Sequence, residues 1–255
     1  MSIRIASLVP SLTELVVALG LREQLVARTG FCIHPIEQLR EVPKVGGTKD
    51  VNLAKLRRLR PTHVLLNVDE NRRETFDALR DFVPELIVTH PCAPQDNLAL
   101  LQQLLDAFGA LPGVRERAAA LRDELQRELD LTQPAGRPAQ AVLYLIWREP
   151  WMTVARDTYI SRMLARVNWL TLPDANGGAS GAARYPTITG DEPWLRQVQR
   201  VLLSSEPYRF DTSHIAQAQA LCPRAQVQLV DGELLSWYGP RAAQGLRELR
   251  RLAAE

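Results

Sequence analysis

Hydrophobic and polar positions alternate most regularly across residues 112–134, PGVRERAAALRDELQRELDLTQP. Val114, Ala118, Leu121, Leu125 and Leu129 recur at spacings of three and four, while Arg115, Arg117, Arg122, Asp123, Arg127 and Glu128 fill the remaining turns. A repeat of this period predicts one amphipathic helix with an apolar stripe and a wet outer face. Pro112 suits a first helical turn, where its missing N–H is no loss, and Pro134 followed by Ala-Gly-Arg-Pro closes the other end. At ~1.5 Å per residue, about 20 residues span roughly 30 Å, the width of a small domain. Strand-like apolar runs alternate with helical patterns on both sides. Residues 111–134 are therefore expected to be a rigid strut joining two α/β lobes, 1–110 and 135–255.

In the first lobe the pattern predicts strands at 3–9, 24–29, 62–68 and 85–89. A helix is expected to open on the capping-box sequence Ser11-Leu-Thr-Glu14 and to end at Gly20. A second is capped at Asp50 or Asn52 and stops before Pro61; others cover 72–82 and 95–108. In the second lobe strands are expected at 140–147, 200–204 and 226–230. Helices are expected at 158–167, 192–198, 212–221 and 240–254, and a loop rich in Gly, Ala and Asn at 172–183. Both lobes read as largely parallel sheets covered by helices. Ligands of such sheets sit outside the carboxyl ends of the strands, so the segments after each strand are where function should lie.

Composition narrows the classes. The chain has 255 residues, 46% of them hydrophobic, and a formal charge of only +2, enough for two filled lobes and too neutral to attract nucleic acid or an anionic membrane. No run of about 18 apolar residues exists to span a bilayer. Residues 5–20 are fairly apolar but contain Pro10, Ser11, Thr13 and Glu14, and read as strand plus helix instead of an export signal. The three cysteines make no disulfide framework. These features favour a cytoplasmic location, or a periplasmic one if Met1 is not the true start; a monomer is expected.

The post-strand segments are rich in aromatics: Phe31, Trp147, Trp151, Tyr185, Tyr208, Trp237 and Tyr238. Four such rings in one cleft, each burying ~100 Å² at about 25 cal/mol/Å², would offer a ligand ~10 kcal/mol before entropy and desolvation are subtracted. That suits a large flat molecule. Arg148 lies between Trp147 and Trp151, where a cation and aromatic faces together suit a flat anionic ligand; Glu206 adds a charge after another strand. Cys32-Ile-His34 and His90-Pro-Cys92 follow two strands of the first lobe, and would converge as a four-ligand metal site if those strands were neighbours. His34 or His90 could alternatively be an axial ligand to a metal in a macrocycle. Enzyme signatures are missing: residues 45–49 lack the spacing of a phosphate loop, and Ala182 stands where a nucleophile elbow around Ser180 needs glycine.

Residues 6–20 (ASLVPSLTELVVALG), Pro-Lys-Val-Gly-Gly (43–47), Val-Asn-Leu (51–53), Leu-Arg-Pro-Thr-His-Val-Leu-Leu (59–66) and Asp-Thr-Tyr-Ile-Ser-Arg-Met-Leu (157–164) resemble the helical-backbone metal receptor superfamily. Its members are class III periplasmic-binding-protein-like receptors for cobalamin, iron siderophores and haem that serve ABC importers. The resemblance covers nearly the whole chain. It implies two Rossmann-like lobes bridged by one helix, a metal chelate held between them, and no resident cofactor. Phe31, Thr48, Trp151 and Tyr185 resemble the residues that line the cleft in cobalamin-binding members. The partner it implies is an ABC permease. The family's docking glutamate directly after Asn-Leu is replaced here by Ala54, whereas acid is kept at Asp191 and Glu192. The expectation is a binding protein, not an enzyme, for cobalamin or a related chelate such as haem or a ferric siderophore. The alternative is a chelatase-like or cofactor-processing enzyme, which would lose activity but keep ligand affinity on replacement of His34 or His90.

Overall fold

The computed structural model describes residues 2–254. They fall into two compact units. The first runs to Pro91 and adds Asp96–Leu125 and Tyr238–Pro240; the second comprises Cys92–Gln95, Gln126–Trp237 and the chain from Arg241 on.

The first unit is built on β1 (Ile5–Ser7), α1 (Pro10–Ala18), β2 (Leu25–Arg28), α2 (Ile36–Leu39), α3 (Leu53–Arg58), β3 (His63–Asn67), α4 (Arg73–Leu79), β4 (Glu85–Thr89) and α5 (Asp96–Phe108). The strands form one parallel sheet in the order β2-β1-β3-β4, with Ala6 opposite both Ala27 and Val64, and Asn67 opposite Thr89. Ala6, Leu8, Ala27, Val64 and Leu66 join Val45, Leu56, Leu79 and Val83 in one buried cluster. Ile5 and Leu65, which alternate with them, are buried as well. Burial on both faces is why these strands read as unbroken apolar runs.

The expected capping box at Ser11 does not form. Pro10 is already the first helical residue and Val9 the N-cap, with no side-chain cap. A proline at that position presets φ for the helix and starts it before Ser11 can act as a cap. Asn52 caps α3 as expected, its side chain accepting from Lys55 N–H at 2.9 Å.

The long helix α6 spans Val114–Leu131 and passes from the first unit into the second at residues 125–126. Val114, Ala118, Leu125 and Leu129 are buried, as the periodicity predicts. Glu128, assigned above to the wet face, is also buried. Its carboxylate accepts from Arg247 Nη1 at 3.1 Å and lies 2.7 Å from Arg250 Nη1.

The second unit continues with β5 (Gln140–Leu145), β6 (Trp151–Met152), α7 (Tyr159–Leu164), β7 (Trp169–Thr171), β8 (Thr187–Ile188), β9 (Arg200–Ser204), α8 (Ile215–Leu221), β10 (Gln226–Val230), α9 (Gly232–Ser236) and α10 (Arg241–Leu252). β10-β9-β5-β7 is a second parallel sheet, and β6 and β8 make a separate antiparallel ribbon. Four of these elements, β6, β7, β8 and α9, were not read from the pattern, because runs of two to five residues hold too little periodicity. Leu143, Leu145, Val201 and Leu203 bury one sheet face with Ile188, Leu195, Phe210 and Ala218. Ala242, Leu246 and Leu249 on α10 are buried at helical spacing.

Candidate ligand-binding site

Strand order determines where each sheet opens. In the first unit the chain goes from β1 outward to β2, then returns past β1 to β3, so the connections after β1 and β3 leave in opposite directions. In the second it goes from β5 to β7 on one side and then to β9 on the other. Ligands of doubly wound sheets occupy such switch points at the carboxyl ends of the strands.

After β5 the chain folds back as a tight hairpin: Ile146 N–H donates to Met152 C=O at 3.0 Å and Met152 N–H to Trp147 C=O at 3.1 Å. Trp147, Arg148 and Trp151 all sit on this hairpin. The segment after β9 is tied to it by Tyr208 N–H on Ile146 C=O. Trp147 meets Tyr208 edge-on at 5.6 Å, Tyr208 meets Phe210 at 4.7 Å, and Phe210 stacks on Trp151 at 6.0 Å and 7°. His214 stands edge-on to both Tyr208 and Phe210, its Nε2 lying 3.1 Å from the Tyr208 hydroxyl and its Nδ1 2.9 Å from Asp211 Oδ1. Trp147 is the outermost ring, 41% exposed, and Phe210 the innermost at 4%. The result is an aromatic platform whose outer face is open to a ligand and whose inner face is braced by the core.

Arg148 Cζ lies 5.5 Å from the Trp151 ring centroid. The β6–β8 ribbon joins this hairpin to the segment carrying half-buried Tyr185. The loop before Tyr185 is held by Asp157, whose carboxylate accepts from Gly177 N–H at 2.9 Å and Gly178 N–H at 2.8 Å, and by Arg184, which donates to Gly178 C=O. Burial opposes ionisation of Asp157, but these donors and the Arg184 charge outweigh it and hold the carboxyl below its usual range.

Glu206, at the same switch point, is turned inward. Ser236 Oγ donates to its carboxylate at 2.7 Å and Trp237 Nε1 at 2.6 Å. Burial pushes the carboxyl up in spite of those donors. Trp237 is 9% exposed and Tyr238 6%; the Tyr238 hydroxyl donates to Glu70 at 2.9 Å. Trp237 and Tyr238, expected among the ligand-facing aromatics, thus have little exposed area, and their polar atoms are engaged by Glu206 and Glu70.

In the first unit Phe31 is 63% exposed and lies over Gly47, where an added Cβ would come within 3.3 Å of the ring. Thr48 is held at the β1/β3 switch point by Asn71, whose Nδ2 donates to Thr48 C=O at 2.9 Å and Leu8 C=O at 3.3 Å. Lys49 Nζ donates to Asp69 C=O at 2.6 Å, and burial lowers its pKa.

The four-ligand metal reading fails on topology. Cys32 and His34 follow β2 and His90 follows β4, which are opposite edges of the sheet. Three strand spacings of ~4.8 Å separate those edges by about 14 Å, far beyond a shared coordination sphere. Cys32 is fully buried beside Thr29 and its thiol is pushed up by burial, Cys92 Sγ lies 3.6 Å from Arg184 Nη2, and His90 Nε2 lies 3.4 Å from Asp69. Among the described residues no group of three or more His, Cys, Asp or Glu is placed to hold a metal ion.

The family model described as "Periplasmic binding protein" matches residues 5–181. The chain belongs to the periplasmic binding protein family. It is 23% identical over 243 residues to a vitamin B12-binding protein of Pectobacterium carotovorum, covering 93% of this chain and 83% of that one. It is 23% identical over 263 residues to an uncharacterized ABC transporter substrate-binding lipoprotein, YvrC, of Bacillus subtilis, covering 96% and 78%. Among solved structures, the periplasmic vitamin B12 binding protein BtuF of Vibrio cholerae superposes with a TM-score of 0.81 at 19% identity, over 99% of this chain and 98% of that one. The periplasmic heme binding protein HutB of the same organism gives 0.76 at 20%, over 99% of each. The resemblance to the class III superfamily and the two-lobed α/β fold it implies therefore both hold.

Of the residues the sequence singles out, Trp147, Arg148 and Trp151 lie on this hairpin and Tyr185 on the segment the ribbon joins to it, whereas Phe210 and His214 are not among them. The alternation Tyr208-Arg-Phe210 after β9 was the available signal, because residues two apart on an extended segment share a side.

Proposed function

We propose that the chain is a substrate-binding protein of the ABC-importer type whose ligand is a metal chelate: a corrinoid, a haem or a ferric siderophore. One observation carries this reading. At the switch point of the second sheet a tryptophan stands exposed, supported from behind by Tyr208, Phe210 and His214 and flanked by an arginine. A braced ring loses little freedom when a planar ligand stacks on it, so more of the contact appears as affinity. Relatives named for vitamin B12 and heme binding support the same ligand class.

Trp147 and Trp151 stand at the proposed site and the other three tryptophans lie in the same unit, so quenching of Trp fluorescence reports binding there. Titration with cyanocobalamin, haemin and ferric siderophores should give saturable quenching by at least one of them at micromolar or lower concentration. Trp147→Ala should weaken that binding at least tenfold. Flat titrations with every compound would overturn the proposal.

A further inference from the structure

Arg148 is under-satisfied where it stands. Its Nε is shut away from solvent with no acceptor among the described residues, and Nη1 meets only the carboxylate of the adjacent Glu149 at 2.7 Å. That carboxylate is a loose partner. Glu149 is 79% exposed, and its backbone is in the left-handed region at φ +63°, unusual for a residue with a side chain. An exposed pair of this kind is worth little and exchanges readily. Beside it lies a cavity of about 390 Å³, lined by Arg148, Glu149, Trp151, Ile188 and Thr189 among others. A guanidinium over an indole at the edge of an apolar cavity recognises a carboxylate carried by a flat, greasy body.

We infer that Arg148 selects chelates bearing a free peripheral carboxylate, and that Glu149 is an internal stand-in which this carboxylate displaces. The inference rests on the function proposed above and adds a ligand class to it: anionic chelates are preferred over those whose side arms are neutral amides. Binding exchanges one carboxylate for another on Arg148. The ligand's carboxylate comes with ring contact on Trp151, whereas Glu149 returns to water.

The test is a titration of the full chain with haemin, haemin dimethyl ester and cyanocobalamin. The proteins are the parent, Glu149→Gln, Arg148→Gln and Arg148→Lys. The parent should bind haemin at least tenfold tighter than the ester, about the worth of one charge-assisted hydrogen bond. Glu149→Gln should tighten haemin roughly twofold to fivefold, and more than the ester, because the internal competitor is gone. That gain cannot come from structural damage. Arg148→Gln should abolish the difference between acid and ester, and Arg148→Lys should restore part of it. Equal binding of acid and ester by the parent, weaker haemin binding by Glu149→Gln, or binding of cyanocobalamin alone would each overturn the inference and leave the binding-protein reading standing. Failure of all three compounds to bind would overturn the inference, and flat titrations with ferric siderophores as well would overturn the binding-protein reading.

Discussion

Replacing Glu128 by alanine should destabilise the second unit by about 3 kcal/mol at pH 7. Glu128 is 5% exposed on α6, and two arginines of α10 reach it. Removing one member of a buried ion pair usually costs about 3–5 kcal/mol, because the remaining charge loses both water and partner. Here the lower end applies, since the Arg250 and Arg247 side chains are 25% and 42% exposed and water already compensates part of their charge. Urea unfolding followed by tryptophan fluorescence isolates the right transition, because every tryptophan is in the second unit. Burial opposes ionisation of Glu128, but Arg250 and Arg247 outweigh it and lower its pKa below 4.5. The unfolded chain therefore takes up the proton first as pH falls, so the stabilisation is full above pH 4.5 and is lost as pH drops through the lower folded value. The gap between parent and Glu128→Ala should be widest near neutrality and close in acid. A gap under about 1 kcal/mol at pH 7, or one that widens on acidification, would refute the account of a buried, doubly paired carboxylate.

Three other outcomes follow from the same geometry. Phe210→Ala should cost about 3–4 kcal/mol in urea unfolding and also weaken chelate binding, since the ring braces Tyr208 and Trp151 from within; an unchanged affinity would show that the platform does not need its base. Gly232→Ala should destabilise by about 1–3 kcal/mol, because a Cβ there would stand 2.3 Å from Ser204 Oγ and 2.8 Å from Glu206 Cγ; a neutral result would mean that the β9–α9 contact yields freely. Burial pushes the thiol of Cys32 up and that of Cys222 up to about 11, so at pH 8 a thiol reagent should react quickly with half-buried Cys92 alone, and Cys92→Ser should remove the fast phase. Fast modification of two thiols in the native protein would contradict that burial.

Much of the framework was decided locally. Strands such as His63–Asn67 and Arg200–Ser204 are sandwiched between layers, so their apolar runs are unbroken and visible without any partner. The α6 stripe is visible for the same reason, since one face of a helix meets the interior every three or four residues. The exposed aromatics Phe31 and Trp147 follow strands in the sequence itself, which is why the ligand surface could be sought at the carboxyl ends. What pairs across long separations was invisible. Strand order depends on which way each crossover turns, and no local pattern records that; it put Cys32 and His90 at opposite edges and Trp147 beside Tyr208. Glu128 looked like any solvated helix charge because its partners lie 119 and 122 residues further on, at Arg247 and Arg250. Periodicity reports which residues leave water, and only the tertiary structure reports what they meet when they do.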